Sequence, residues 1–509
     1  MKTVRDRFFK CMIPAAAAAL WTAASLIYDR RTFETDPLEA LHNYIPCKIL
    51  MFIAVFAFAG FLMKAVLDRT SLSRRVLIFA ILYFVPMILV LVYKIPEGFL
   101  SNDESLIFAE ASRLADYTWF YYITTWYYIV SMMLFPSWTG PIIIKVIIQC
   151  LTAGYALARL QRFMEGSRKA LLLYAAFILP PILAYTTSAH RIPIYIFLYV
   201  LFMYVLFMDR LENAPLTWLK ALPMLFLMAV LTQWRTEGIY LAVFGPAMMI
   251  VCYPGVYREN RVRNIVRLLA LSFLIQYIVA IPQYGLIPSR MEDKAANRML
   301  PFYAYTVTNM YRNGLDTDDP ANISSLDKID RYLNVDTIAA INDHLGDINY
   351  EDALILYYQG YDGRRTDADD GDYMAFVEGS KELMQHNPDV LMRTKWGSFD
   401  YAATVYDPVL GFGLLSFVIS LVKTVAYNLY APMILLIAFF VYSLVKLKER
   451  AWTSVFYVLL SLCLLSHFAI VFILAPASYF KYYFPVYYTT YFFAILLTIL
   501  RSERKLPVK

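Results

Sequence analysis

CKILMFIAVFAFAGFLMKAVL, residues 47–67, decides what kind of fold this chain adopts. The run carries two lysines and no acid over its whole length. A helix crossing a bilayer core needs roughly 20 mostly apolar residues, and this stretch supplies them. Comparable runs recur at 11–28, 76–95, 139–160, 170–187, 192–208, 218–234, 237–253, 265–283, 428–446, 452–474 and 483–500. Lipid offers no hydrogen bonds, so each run must satisfy its own backbone as a helix. The sequence therefore predicts an all-α polytopic membrane protein with about 12 transmembrane helices. Two further apolar stretches, 119–135 and 409–425, are interrupted by polar residues and are expected to lie at the interface.

Composition agrees. Sixty per cent of the 509 residues are hydrophobic and 17% are charged, against about a quarter charged in soluble domains. The 41 tyrosines suit the headgroup boundary, where ring and hydroxyl are both satisfied. The net charge of +6 conceals an asymmetry: residues 285–408 hold 22 acids and 11 bases, a balance of −11 that leaves +17 on the rest. A basic membrane part reflects loops that meet anionic lipid and gives no argument for nucleic acid. Cys11, Cys47, Cys150, Cys252 and Cys463 are scattered through apolar runs and read as small core residues. The histidines show no metal-ligand spacing. The N-terminal segment imitates a signal peptide but reads as an uncleaved first helix.

Orientation follows from Lys and Arg in short loops. Lys2/Arg5/Arg7, Arg69/Arg74/Arg75, Arg159/Arg162/Arg168/Lys169, Arg258/Arg261/Arg263/Arg267, Lys446/Lys448/Arg450 and Arg501/Arg504/Lys505 fall on one side when twelve spans are counted. Arg30 and Arg31 are the exceptions. Both termini are then expected in the cytoplasm of a cell membrane. Residues 96–138, the turns near 188–192 and 234–237, the loop 284–408 and the turn 475–482 are expected outside. The chain divides into 1–283 with nine spans, a mostly helical extracytoplasmic cap at 284–408, and 409–509 with an interfacial helix, three spans and a cytoplasmic tail. Amphipathic pieces near 325–345 and 373–393 support the helical cap.

The polar groups on the outer face are the candidates for chemistry. Asp103 and Glu104 open a segment whose helical spacing places Asp103, Ile107, Glu110 and Leu114 along one stripe, with Arg113 beside it. Ser101 and Glu104 also match a helix capping box, which is compatible with a catalytic role. A carboxylate at the membrane surface is suited to proton abstraction, because partial desolvation raises its pKa. Gln233-Trp-Arg235-Thr-Glu237-Gly reads either as a surface Arg–Glu pair or as a phosphate site, since a guanidinium offers two directed hydrogen bonds. His190-Arg191 forms another exposed turn. Tyr479-Phe-Lys481-Tyr482 before the last span reads as interface anchors or as a clamp on an anionic headgroup. Asp367-Ala-Asp369-Asp370-Gly371-Asp372 suggests a calcium loop but puts Asp372 where glycine is needed, so a solvated acidic loop is expected. Asn322-Ile-Ser324 is a formal glycosylation sequon.

Together these motifs resemble a family. Asp103-Glu104 in the first substantial outer loop is similar to the acidic motif of GT-C-fold glycosyltransferases that use polyprenyl-phosphate-linked sugars, the superfamily of dolichyl-phosphate-mannose–protein mannosyltransferases and lipid A aminoarabinose transferases. Arg235-Thr-Glu237-Gly resembles their Arg-x-Glu-Gly segment, and Tyr479-x-Lys481-Tyr482-x-x-Pro485 their signature before the last helix. The likeness of organisation covers roughly residues 76–500. Two extra spans precede the motif region, Lys481 stands where Arg is common, and the long loop falls between the ninth and tenth spans.

The resemblance implies a GT-C-like fold and a polyprenyl-phosphate sugar donor. It further implies a glycan, lipid or protein acceptor and inverting transfer. Asp103 would be the base, with Glu104 beside it. Arg235, Lys481, Arg191 and Tyr482 would bind the donor phosphate, and Glu110, Arg113, Glu237 and His190 would support the site or the acceptor. No cofactor is established, and a divalent cation is left open. Two other readings stand beside it. An O-antigen or capsule polymerase or ligase would use His190, Arg191, His344 or His386. A lipid-linked glycan flippase or transporter would use charges at mid-membrane depth, for which Lys145 and Lys423 are the main examples.

Overall fold

The computed structural model describes residues 2–94, 102–116, 121–254, 260–284, 289–345, 363–404, 421–422, 424–449 and 451–503, of which 2–10, 93–94, 102–103, 236, 284, 289–299 and 344–345 are described in backbone only. Helices occupy most of this chain: α1 (Lys2–Thr32), α2 (Leu41–Leu67), α3 (Leu72–Lys94), α4 (Asn102–Ser112), α5 (Tyr122–Leu134), α6 (Gly140–Phe163), α7 (Tyr174–Phe177), α8 (Pro180–Thr186), α9 (Ile192–Leu211), α10 (Trp218–Trp234), α11 (Leu241–Cys252) and α12 (Arg261–Tyr284). They continue as α13 (Ser289–Arg312), α14 (Pro320–Asp330), α15 (Val335–Leu345), α16 (Asp370–His386), α17 (Pro388–Ala403), α18 (Tyr430–Lys446), α19 (Trp452–Leu474) and α20 (Phe484–Ser502). Among the described residues there is no strand, only two isolated bridges.

Nine described helices are long and apolar enough to cross a membrane: α1, α2, α3, α6, α9, α12, α18, α19 and α20. The chain is a multi-pass, all-α membrane protein. The remaining three expected spans take other forms. Residues 170–187 make a pair of helical segments bent by 62°, because Leu179 is extended ahead of Pro180-Pro181 and the ring of each proline cannot continue the preceding turn. This pair would bring the count to ten. Residues 218–234 form α10, whose 17 residues reach about 25 Å at 1.5 Å per residue, short of a ~30 Å core. Residues 237–252 form a second short apolar helix. Of the two stretches expected at the interface, 119–135 contains α5, whose 13 residues are too few to cross and are mostly buried. The greater part of 409–425 lies outside the described residues.

Two compact units emerge: Met1–Leu286 with Leu435–Cys463 and Tyr487–Lys509, and Ile287–Ile434 with Leu464–Val486. In the first, α9 is buried on all faces, and its tyrosines find partners as buried hydroxyls must. Tyr204 donates to the Ala156 carbonyl at 2.8 Å, and the Tyr195 and Tyr240 hydroxyls lie 3.2 Å apart. α3 runs against α6 so closely that a Cβ on Gly154 would overlap the Val76 carbonyl. The flanks of α1, α2 and α12 expose Leu20, Ile27, Ile53, Val66, Phe273 and Tyr277, the surface a lipid solvent accepts. At one end of α6 and α9, Arg159 is clamped by Asp209 at 2.6 Å and by Glu212 at 2.9 Å. Four of the five cysteines are buried as small core residues. Cys11 is exposed, a correction that follows from its place on the thinly covered α1.

The second unit has its own apolar core, built from α13, α14, α15 and α16 around Tyr332, Phe376, Ile338 and Val307. Gly379 lets α16 approach α14, since a Cβ there would come 2.5 Å from the Ser325 carbonyl. The acidic run forms a helix start: Asp369 caps α16 in a reciprocal box with Asp372. Asn322 of the sequon is buried, and it exchanges amide hydrogen bonds with Asn387 at 3.2 and 2.7 Å.

Candidate functional site

Chemistry-bearing groups in the first unit converge where α4 meets the turn between α8 and α9. The buried face of α4 runs through Glu104, Ile107 and Ala111, at helical spacings of three and four. Of the stripe read from sequence through Asp103, Ile107, Glu110 and Leu114, Ile107 and Leu114 are buried and Glu110 is half-buried. Glu104 is 1% exposed. Its carboxylate accepts from the Arg191 guanidinium at 3.1 Å and from the Arg191 backbone N–H at 3.4 Å, while His190 Nδ1 lies 3.3 Å from its other oxygen. Arg191 is itself buried, so the turn expected to be exposed is enclosed. A buried carboxylate is tolerable only with such neutralisation. The Asp103 side chain and Ser101 lie outside the described residues.

The turn that carries His190 and Arg191 is fixed from below by Lys145 of α6. Its ammonium donates to the carbonyls of Tyr185 at 3.1 Å, Ser188, and His190 at 2.6 Å. Carbonyls at the end of a helix lack intrahelical partners, and Lys145 supplies donors for those that follow α8. Tyr128 of α5 adds a hydrogen bond to the Ala189 carbonyl at 2.9 Å, and the Tyr185 and His190 rings lie 5.2 Å apart. The charge that the transporter reading singled out is thus bound to backbone carbonyls.

Aromatic rings connect this cluster to Arg235. Tyr127 packs on Tyr128 at 5.5 Å and on Trp234 at 5.6 Å. Arg235 follows α10 in extended conformation and is 8% exposed, and Glu237 takes both Nε, at 3.2 Å, and Nη2. Arg235 of the pair read as a surface contact is therefore buried and Glu237 partly so, because Arg235 sits in the break between α10 and the turn that leads to α11. Gly238 is required by that turn: an added Cβ would stand 2.6 Å from the Leu231 carbonyl.

The other expected residues are placed elsewhere. Glu110 and Arg113 form a pair at 3.7 Å on the exposed side of α4, and Arg113 reaches Glu34 at 3.2 Å. In the second unit, the Lys481 ammonium stands over the Tyr479 ring at 4.5 Å and over the Tyr482 ring at 6.0 Å, both to the centroid. His467 Nε2 donates to the Tyr482 carbonyl at 2.9 Å, and the Tyr305 hydroxyl shares hydrogen bonds with Ser478 and, at 2.8 Å, with Ser398. His386 is exposed at the end of α16, and the side chains of His344 and Lys423 lie outside the described residues. Among the described residues no group of three His, Cys, Asp or Glu has the arrangement of a metal site, and no residue is assigned to a divalent cation.

Sequence reasoning missed the positioning roles of Lys145, Tyr128 and Tyr185. The one signal was a lone lysine within an apolar run, which marks a buried charge with a job but does not name its partners. No protein-family model matches the chain, and no curated protein or solved structure matches it at a significant level.

Proposed function

We propose that this protein is a membrane glycosyltransferase of the GT-C kind, moving a hexosyl or pentosyl group from a polyprenyl-phosphate donor to an extracytoplasmic glycan, lipid or protein acceptor. One observation carries the reading: the buried Glu104 ties the first turn of α4 to His190 and Arg191, so the Asp103-Glu104 pair sits on a fixed element rather than on a free loop. In this reading both termini are cytoplasmic and α4 faces outward.

The acceptor hydroxyl oxygen attacks the anomeric carbon while the bond from that carbon to the phosphate oxygen breaks. The electron pair leaves with the polyprenyl phosphate, the acceptor proton passes to Asp103, and the anomeric centre inverts. Arg191 and Arg235 lower the cost of negative charge growing on the phosphate. Glu104 positions Arg191 and His190, and Glu237 positions Arg235. Lys481 and Tyr482 belong to the second unit and enter no step of this scheme.

The test is transfer of a radiolabelled sugar from polyprenyl phosphate by membranes that hold the full chain. Asp103→Asn is expected to abolish transfer at unchanged protein level and melting temperature. Full activity in that variant removes the base and with it the mechanism. The polymerase or ligase reading gains support from His190 at 3.3 Å from Glu104. It requires a pyrophosphate-linked oligosaccharide donor and loss of activity in His190→Gln, so the choice of donor separates the two.

A further inference from the structure

Lys395 lies in the seam between α13 and α17, within the second unit. It is 4% exposed. Its ammonium has one hydrogen bond, to the Thr306 hydroxyl at 2.9 Å, and the Phe302 ring faces it at 4.6 Å. Among the described residues no carboxylate approaches it, which is unusual for a buried lysine. Among the described residues, charged groups on the surrounding elements are engaged elsewhere or exposed. On α17, Arg393 pairs with Asp389 at the surface and Asp400 accepts from Tyr430. On α16, Glu382 binds Lys328 of α14, and Lys381 and His386 are exposed. On α13, the Tyr305 hydroxyl is held by Ser398 and Ser478, and on α19 His467 is turned to the Tyr482 carbonyl.

We propose that the α13–α17 seam is a protonation-controlled joint, which packs on neutral Lys395 and opens to hydrate the charged form. Opening would loosen the Tyr305–Ser478 contact, and with it the segment that carries Tyr479, Lys481 and Tyr482. The inference concerns the second unit alone and does not depend on the glycosyltransferase reading. A charged ammonium held between a phenyl ring and a single hydroxyl has lost most of its hydration, whereas a neutral amine in the same place has lost little. Burial accordingly lowers the Lys395 pKa from 10.5 to about 7. An opened seam exposes the lysine to water and restores its ordinary value. Between those two values the open state binds the extra proton, so closure strengthens as pH rises from about 7 and is flat below it.

The test is hydrogen exchange of the full chain in lipid nanodiscs between pH 6 and 9, with rates corrected for intrinsic chemistry. Protection of α13 and α17 amides is expected to rise about tenfold per pH unit above pH 7 and to level off below it. Lys395→Met and Lys395→Gln should both abolish the slope, and Lys395→Met should raise protection at pH 7. Lys395→Arg, charged throughout, should give low protection at every pH. His467→Gln should leave the slope intact, which matters because histidine is the type of group that ordinarily titrates nearby. A flat wild-type profile overturns the proposal. So does a slope that survives both neutral substitutions of Lys395 or disappears with His467→Gln.

Discussion

The Arg191 guanidinium donates to the Glu104 carboxylate at 3.1 Å, although the two residues stand 87 positions apart. Both are buried. Each would carry a large desolvation cost alone, and together they join the first turn of α4 to the entrance of α9.

Breaking that pair from one side should be costly. Glu104→Gln removes this counter-charge from a buried guanidinium and is expected to destabilise the protein by about 3–5 kcal/mol, read as a fall in melting temperature in detergent. The double variant Glu104→Gln/Arg191→Met should recover much of the loss, because neither charge remains to be desolvated. A double variant as unstable as the sum of the two single ones would show that the residues do not act as a pair.

Lys145 predicts a local effect. Lys145→Met removes the donor shared by the Tyr185, Ser188 and His190 carbonyls, at about 1.5–3 kcal/mol for a charged hydrogen bond. A cysteine placed at the buried Ala189 should then react with a water-soluble maleimide at least tenfold faster than in the Lys145 background. Equal labelling rates would mean that the turn is held by other contacts.

Gly238 offers a steric check. The Cβ of Gly238→Ala would meet the Leu231 backbone oxygen at 2.6 Å, and backbone cannot rotate away as a side chain can. A loss of roughly 1–3 kcal/mol is expected, with the melting temperature as the measurement. An unchanged melting temperature would place the turn after Arg235 further from α10 than described.

Acid should loosen the second unit. Hydrogen bonds from the Asp369 backbone and from Arg331 hold Asp372 below the usual carboxylate range, and Lys328 does the same for Glu378. Depressed values mean that these contacts stabilise at pH above the ordinary carboxylate pKa, about 4, and are lost as pH falls through the lower folded values. Amide exchange at the start of α16 should accelerate below pH 4. Arg331→Ala should remove part of that dependence, and an unaltered profile would exclude Arg331 as its cause.

Particular residues show how much was legible beforehand. The apolar runs at 47–67, 139–160 and 192–208 appear as α2, α6 and α9, because a long run without acids in lipid has no other way to satisfy its backbone. The amphipathic pieces at 325–345 and 373–393 appear as parts of α14 to α17 for the same local reason, periodic burial of one face. The run 170–187 is bent at Pro180-Pro181, a feature that hydropathy averages over and proline geometry imposes. On α4, composition could not tell which acid turns inward. Of Glu104 and Glu110, whose side chains are described, Glu104 turns inward because Ile107 and Ala111 fix the buried face.

Sequence by itself determined that this chain lives in a membrane, that it is helical, and which short motifs bear charge, since all three follow from hydration and backbone hydrogen bonding within a single segment. Only the tertiary structure decided that Glu104 faces Arg191, that Lys145 binds the turn before α9, and that Lys395 is buried against Thr306. Those facts depend on the packing of helices far apart in the chain, where the cost of an unpaired buried charge selects the partner and no local pattern records the choice.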